Sequence, residues 1–297
     1  MNRRSGAVMR RPSGEEGVRE NAPVRYSARV EYDGTDFAGY QVQTGARTVQ
    51  GELEAALARI SGGSRIRVQA AGRTDAGVHA IGQVIAFTDP MGRPARELTR
   101  ALNALLPEDV ALRQMRRAPA GFNPRHAARY REYRYTVWNG PRSPLRERFA
   151  LGVRDPLDIA AMERVGSVLV GRHDFSPFGA AHRQPVRTVN WVRVRRKGSL
   201  VTIDVAADAF LRQMVRRIVA ALLEAGHGRT DEEAVAAALA SGRPAFNGAT
   251  APAKGLCLKR VVLGPMRGRA TPARRREGGE RPPDRTENDD RQDIYGP

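Results

Sequence analysis

The stretch IRVQAAGRTDAGVHAIGQVIAF, residues 66–87, decides the architecture expected of this chain. Residues 66–71 and 83–87 both have strand character, and a glycine-bearing loop separates them. Upstream, Leu53, Ala56, Leu57 and Ile60 recur at helical spacing within residues 49–60, and residues 26–32 alternate as a strand does. Downstream, residues 95–106 read as a second helix and 110–115 as a fourth strand. The order is β-α-β-β-α-β. A second series follows it: a strand at 130–138, a helix at 159–170, and strands at 189–195 and 200–206 with Lys197-Gly198 turning between them. A long helix at 210–225, an extra helix at 232–240 and a last strand at 255–262 complete that series.

Two such units predict an α+β fold of two ferredoxin-like halves, residues 24–128 and 129–265, each with helices against one face of its sheet. If the sheets join edge to edge, their open faces form one floor, and a cleft over that floor suits an RNA helix. Residues 1–23 and 266–297 are rich in Arg, Gly, Pro and Glu, lack apolar periodicity, and are expected to be disordered tails.

The loop inside the opening stretch carries the chemistry. Residues two apart on an extended segment point the same way, so Arg73 and Asp75 can face one cavity, with the guanidinium keeping the carboxylate charged. Gly72 and Gly77 allow a sharp turn or the close approach of a bulky ligand. This suits a nucleophilic aspartate. On spacing alone, a loop with an internal Arg-Asp pair serving only structure is the commoner explanation, since such pairs recur in structural networks.

A net charge of +18 and a pI near 11.2 call for a polyanionic partner. Residues 1–23 contribute +2 and residues 266–297 contribute +1, which leaves +15 on the body of the protein. Nearly all of it is Arg, which forks onto phosphate and stacks on bases. A genome rich in Arg, Ala and Gly codons would yield the same composition. One cysteine, Cys257, excludes an internal disulfide and a zinc site of several thiolates; lying in Leu256-Cys257-Leu258, it reads as a core thiol. No apolar run is long enough to span a bilayer, and the expected compartment is the cytoplasm.

The run Gly72-Arg73-Thr74-Asp75-Ala76-Gly77-Val78-His79 resembles the signature of the TruA family of tRNA pseudouridine synthases. Further segments match that family in order: Glu31 to Gly34, Arg131 to Tyr135, Gly171 to Phe175, Phe210 to Arg216 and Ala251 to Leu256. The one visible departure is Tyr40 after Gly39, where the family usually carries Trp. The resemblance implies the pseudouridine synthase fold, with a catalytic Asp75 in a central RNA-binding cleft. It implies that Arg216 forms a salt bridge with Asp75 and that Tyr133 is the active-site tyrosine, stacking on the target uracil. Arg73 would hold Asp75 or fill the space left by a flipped base. It further implies a homodimer acting on tRNA, at nucleotides thirty-eight to forty of the anticodon stem-loop.

That reaction moves the uracil from N1 to C5 attachment at the ribose C1′ and transfers no electron, so it calls for neither cofactor nor metal. The sequence holds no phosphate-loop or HExxH motif, and no closely spaced Cys or His pair. Two readings compete. One is a catalytically silent RNA binder on the same fold; the other is a metal-dependent nuclease using Asp33, Asp36 and Asp75, which lack the clustering of a two-metal site. His79, His126 and His173 read as structural residues or as substrate contacts. Asp33 and Asp36 read as turn residues, and Asp174 as the cap of a local turn. The alternating Val and Arg of residues 193–197 offer one apolar face and one face for phosphates.

Overall fold

The computed structural model describes residues 22–243 and 249–264, so the two expected tails lie outside the described residues apart from Ala22 and Pro23. The elements are β1 (Val24–Tyr32), α1 (Val49–Ile60), β2 (Gln69–Ala70), β3 (His79–Asp89), α2 (Ala95–Leu105), β4 (Val110–Arg117) and α3 (Pro124–Ala127). Then follow β5 (Ala128–Asn139), β6 (Leu151–Val153), α4 (Ile159–Val168), β7 (Gly171–Asp174), β8 (Val186–Lys197), β9 (Leu200–Ala207), α5 (Met214–Gly226), α6 (Glu232–Ser241) and β10 (Leu256–Leu263). Three of the longer helices start where side chains cap them: Thr48, Asp158 and Asp231 each accept a backbone N–H of the first turn of α1, α4 and α6.

All ten strands form one sheet in the order β4-β1-β3-β10-β5-β9-β8-β7, with β2 on β3 and β6 on β5. Pairing is antiparallel except for β3 with β10 and β5 with β6. Each β-α-β-β-α-β series keeps the same internal order, its fourth strand beside its first, then its third and second. The halves meet where the third strand of the first, β3, lies beside the fourth of the second, β10. That join is short: Cys257 opposes His79, and Leu258 opposes Ala80. The rest of the same β3 edge pairs with β2, at Ala86 and Ile85. The loop between β2 and β3 therefore leaves the sheet where the two halves come together.

The register also says which face is which. Ala80, Leu258, Tyr133, Val205 and Val192 lie opposite one another across β3, β10, β5, β9 and β8 and so project from one side. Val192 meets Gly166 of α4 on that side, and Tyr32, paired with Ala80, is buried there. In the first half α2 lies over β4, and in the second α4 lies over β8, so helices cover the outer strands. Glu132, Arg134, Asp204 and Arg193 project from the opposite face, where Arg134 pairs with Asp204 at 2.8 Å and Arg260 with Glu132 at 2.7 Å.

Three local expectations change. Residues 66–71 yield a strand of only two residues, although Ile66 and Val68 are buried. Side chains of α1 take the place of a ladder there: Glu54 Oε1 accepts from the Val68 N–H at 3.1 Å, and Gln50 Nε2 donates to its carbonyl at 3.3 Å. The long helix begins at Met214 rather than Phe210, because Gln213 has φ +64° and residues 211–214 form a turn. Cys257 faces the helix-free side of the join, opposite Arg134, where the residue keeps some exposure although its thiol is buried, instead of lying between the sheet and the helices.

Candidate active site

Residues 71–78 arch from β2 to β3 and are fastened along their length. The Ala71 N–H donates to the Val84 carbonyl at 2.8 Å, and Gln83 Nε2 donates to the Gly72 carbonyl at 3.0 Å. Thr74 is buried: its hydroxyl meets Tyr32 Oη at 2.8 Å and its carbonyl accepts from the Tyr40 N–H. A turn closes from the Val78 N–H to the Asp75 carbonyl, with Gly77 at φ +76°, a region a side chain would disfavour. Behind the turn, Gly34 lies so near that a Cβ there would be 2.1 Å from the Val78 carbonyl oxygen. These contacts leave Asp75 on a rigid arch, its side chain 30% exposed.

Arg216, in the first turn of α5, brings Nη1 to 3.9 Å from Asp75 Oδ2, with its side chain 17% exposed. Two bonds fix its direction. Arg216 Nε donates to the Ala251 carbonyl at 2.6 Å, and the Ala251 N–H donates to the Arg216 carbonyl at 3.1 Å. The following residues are held in turn by Tyr135 Oη, which donates to the Pro252 carbonyl at 2.9 Å, and Ala253 packs under Gly77. Tyr133 points from β5 to the same side and is buried edge-on against Phe210, ring centroids 5.2 Å apart. Burial first, then the proximity of Tyr32 and of the Asp75 carboxylate, push its phenol pKa well up. The hydroxyl therefore stays protonated at neutral pH.

Arg73 behaves otherwise. It is exposed, and among the described residues it makes no ion pair or side-chain hydrogen bond, so the ion-pair partner of Asp75 is Arg216. An αL residue, a helix start and a distant loop set that pairing, and none of these shows in the spacing of Arg73 and Asp75. The site also lies on the helix-bearing side of the sheet, in the gap over β3, β10 and β5, and not on the helix-free floor. Arg193 is exposed on the opposite face, so it is turned away from Asp75.

The remaining candidates take structural places. His79 is buried, and burial lowers its imidazole pKa against the opposing pull of Asp33. Its Nδ1 accepts from the Gly34 N–H at 3.0 Å while Nε2 lies 3.1 Å from the Lys254 carbonyl, tying β3 to the segment that orients Arg216. Asp33 accepts from the Thr35 N–H and hydroxyl, as a turn aspartate does, and pairs with Arg148 at 2.6 Å. His173 Nε2 meets the Val170 carbonyl, and Asp174 caps Ser176. Among the described residues, no three His, Cys, Asp or Glu side chains are grouped to hold a metal. Phe210 and Ala251, which shape the site around Tyr133 and Arg216, stand in the family-like segments 210–216 and 251–256 with no role evident in sequence; contact across 35 residues or more supplies it.

A carboxylate paired with an arginine beside a buried tyrosine, set on a doubled ferredoxin-like sheet, defines a class. The family model described as tRNA pseudouridine synthase matches residues 28–126 and 167–262, and the chain belongs to that family. Among curated proteins it is similar to the tRNA pseudouridine synthase A of Geotalea uraniireducens, 44% identical over 236 residues, covering 78% of this chain and 96% of the relative. The protein of the same name from Halalkalibacterium halodurans is also 44% identical over 236 residues, covering 78% and 90%. That of Geobacillus kaustophilus is 41% identical over 241 residues, covering 80% and 93%.

Proposed function

We propose that this protein isomerises uridine to pseudouridine in the anticodon stem-loop of tRNA, at nucleotides thirty-eight to forty, with Asp75 as the group acting on the target ribose. The observation that carries the reading is the Asp75 carboxylate, held on a fastened arch 3.9 Å from Arg216 and on the same side of the sheet as Tyr133. The reaction breaks the bond from C1′ to N1, turns the base, joins C1′ to C5 and releases the C5 proton. A carboxylate beside the anomeric carbon serves this chemistry as it serves glycoside cleavage. Attack at C1′ to give an ester and removal of the C2′ proton to give a glycal place the same demand on Asp75, which must meet the ribose as a charged group positioned by a cation. Arg216 supplies that cation from a buried helix start, where it costs little reorganisation during the reaction.

Tyr133 presents a ring for stacking and a neutral hydroxyl. With its pKa raised, that hydroxyl serves the loss of the C5 proton as a relay, accepting on a lone pair and donating its own proton, instead of as a phenolate base. Arg73, exposed beside the site, is free to occupy the place of the uridine that leaves its stack. The architecture is read as two halves, residues 24–128 carrying Asp75 and 129–265 carrying Tyr133 and Arg216, in a homodimer acting in the cytoplasm. The basic body of the protein fits a substrate bound mainly through its phosphates.

Tritium release from C5-tritiated uridine in an unmodified tRNA transcript tests the reading, with EDTA present and no cofactor added. Release is expected from the wild type and not from Asp75→Ala, whose tRNA affinity should stay within a few-fold because phosphate contacts supply it. A folded wild type that binds tRNA and releases nothing would favour the silent binder. A large loss of affinity in Asp75→Ala would make Asp75 structural.

A further inference from the structure

Arg131 opens the motif that contains Tyr133, and the chemistry above gives it no task. Its side chain joins three pieces of the molecule. Nη2 donates to the Ala71 carbonyl at 2.7 Å and to the Arg125 carbonyl of α3 at 3.0 Å, and Nη1 donates to the Asp208 carbonyl at 2.6 Å, just past β9. Among the described residues no carboxylate pairs with this guanidinium; its acceptors are backbone carbonyls only. Ala71 is the residue from which the arch carrying Asp75 rises. Its N–H is already bound to β3, so Arg131 fixes the other half of the same residue from β5, across the join between halves. The strand ladder of that join is only two residue pairs long, and a charged donor to a carbonyl is the stronger kind of hydrogen bond.

We propose that Arg131 is a positioning residue for the reaction: by holding the Ala71 carbonyl it keeps the 71–78 arch, and with it Asp75, in register with Arg216 and Tyr133. Asp75 comes from one half of the sheet and Arg216 and Tyr133 from the other, and Arg131 spans the seam between them. The proposal rests on the pseudouridine synthase reading for its kinetic test but not for its structural one.

The experiment uses Arg131→Ala and Arg131→Lys in single turnover, with enzyme in excess over C5-tritiated tRNA, and separates the plateau rate from the enzyme concentration giving half of it. Amide hydrogen exchange of residues 71–78 is followed on the same proteins. In Arg131→Ala the plateau rate should fall about tenfold to a hundredfold, the range expected when a reacting group shifts by a fraction of an ångström to one ångström. The half-saturating concentration should stay within a few-fold, exchange on the arch should quicken, and Arg131→Lys should fall between the two. A merely structural loss would reduce the folded fraction and raise the half-saturating concentration with the plateau intact, and a phosphate contact would do the same; either result overturns the proposal. A lower plateau with unchanged exchange on the arch would overturn it too, by making Arg131 a direct contact. If the wild type converts no uridine, the functional reading fails, and the exchange of the arch still decides whether Arg131 holds it.

Discussion

Replacing Gly34 by alanine is a small change at a residue to which the proposed chemistry gives no role, and it should disable the enzyme. Gly34 has no left-handed backbone, so what it supplies is room. An added Cβ would lie 2.1 Å from the Val78 carbonyl oxygen and 2.5 Å from its carbon, where real Cβ contacts stay beyond 3.0 Å, so the two backbones must part by about 0.9 Å. Gly34 has little freedom to retreat, because its N–H is bound to His79 and its carbonyl accepts from Phe37. The displacement therefore passes to the turn closed between Asp75 and Val78. Overpacking of this kind costs about 1–3 kcal/mol of stability, which a protein of this size survives. A shift near one ångström in a catalytic group costs about a hundredfold in rate. Gly34→Ala should accordingly melt a few degrees lower, bind tRNA within a few-fold of wild type and release tritium about a hundred times more slowly in single turnover. Gly72→Ala supplies the contrast, since a Cβ there meets nothing within 4 Å and its melting should not change. Wild-type turnover by Gly34→Ala would refute the claim that a fixed arch sets the position of Asp75.

Two further outcomes follow from other parts of the site. Tyr133→Phe keeps the ring against Phe210 and removes the hydroxyl, so the rate should fall while tRNA affinity holds; an unchanged single-turnover rate would take the hydroxyl out of the mechanism. Burial, aided by the charge of Glu31, pushes the Cys257 thiol pKa up to about 12. At pH about 7.5 its thiolate fraction is then on the order of a thousandfold below that of a free cysteine, and iodoacetamide should label the native protein correspondingly slowly. Labelling at the free-cysteine rate before denaturant is added would contradict that environment.

The order of elements and the identity of Asp75 were legible in the chain because both are local. Periodicities of two and of 3.6 residues mark strands and helices over a dozen residues, and the Gly-Arg-Thr-Asp-Ala-Gly run is contiguous. Locality is also what misled the reading of residues 66–71, where alternating burial is real but the backbone bonds go to Gln50 and Glu54 of α1 instead of a partner strand. Spacing alone puts Arg73 beside Asp75 because it stands two residues away, whereas Arg216, which the family resemblance named, comes from 141 residues further along, delivered by α5 and the Ala251 clamp.

By itself, then, the sequence determined the two β-α-β-β-α-β series, the basic character of the body and the carboxylate proposed to act on the ribose. Only the tertiary structure decided that the site lies on the helix-bearing face, how Arg216, which the family resemblance put beside Asp75, reaches it while Arg73 stays exposed, and that Arg131 bridges the seam. The physical reason is the range of the contacts. Alternation along a strand says that neighbouring side chains face opposite ways, but which face the helices cover, and which strands meet at β3 and β10, depends on pairing between residues 178 positions apart, such as His79 with Cys257.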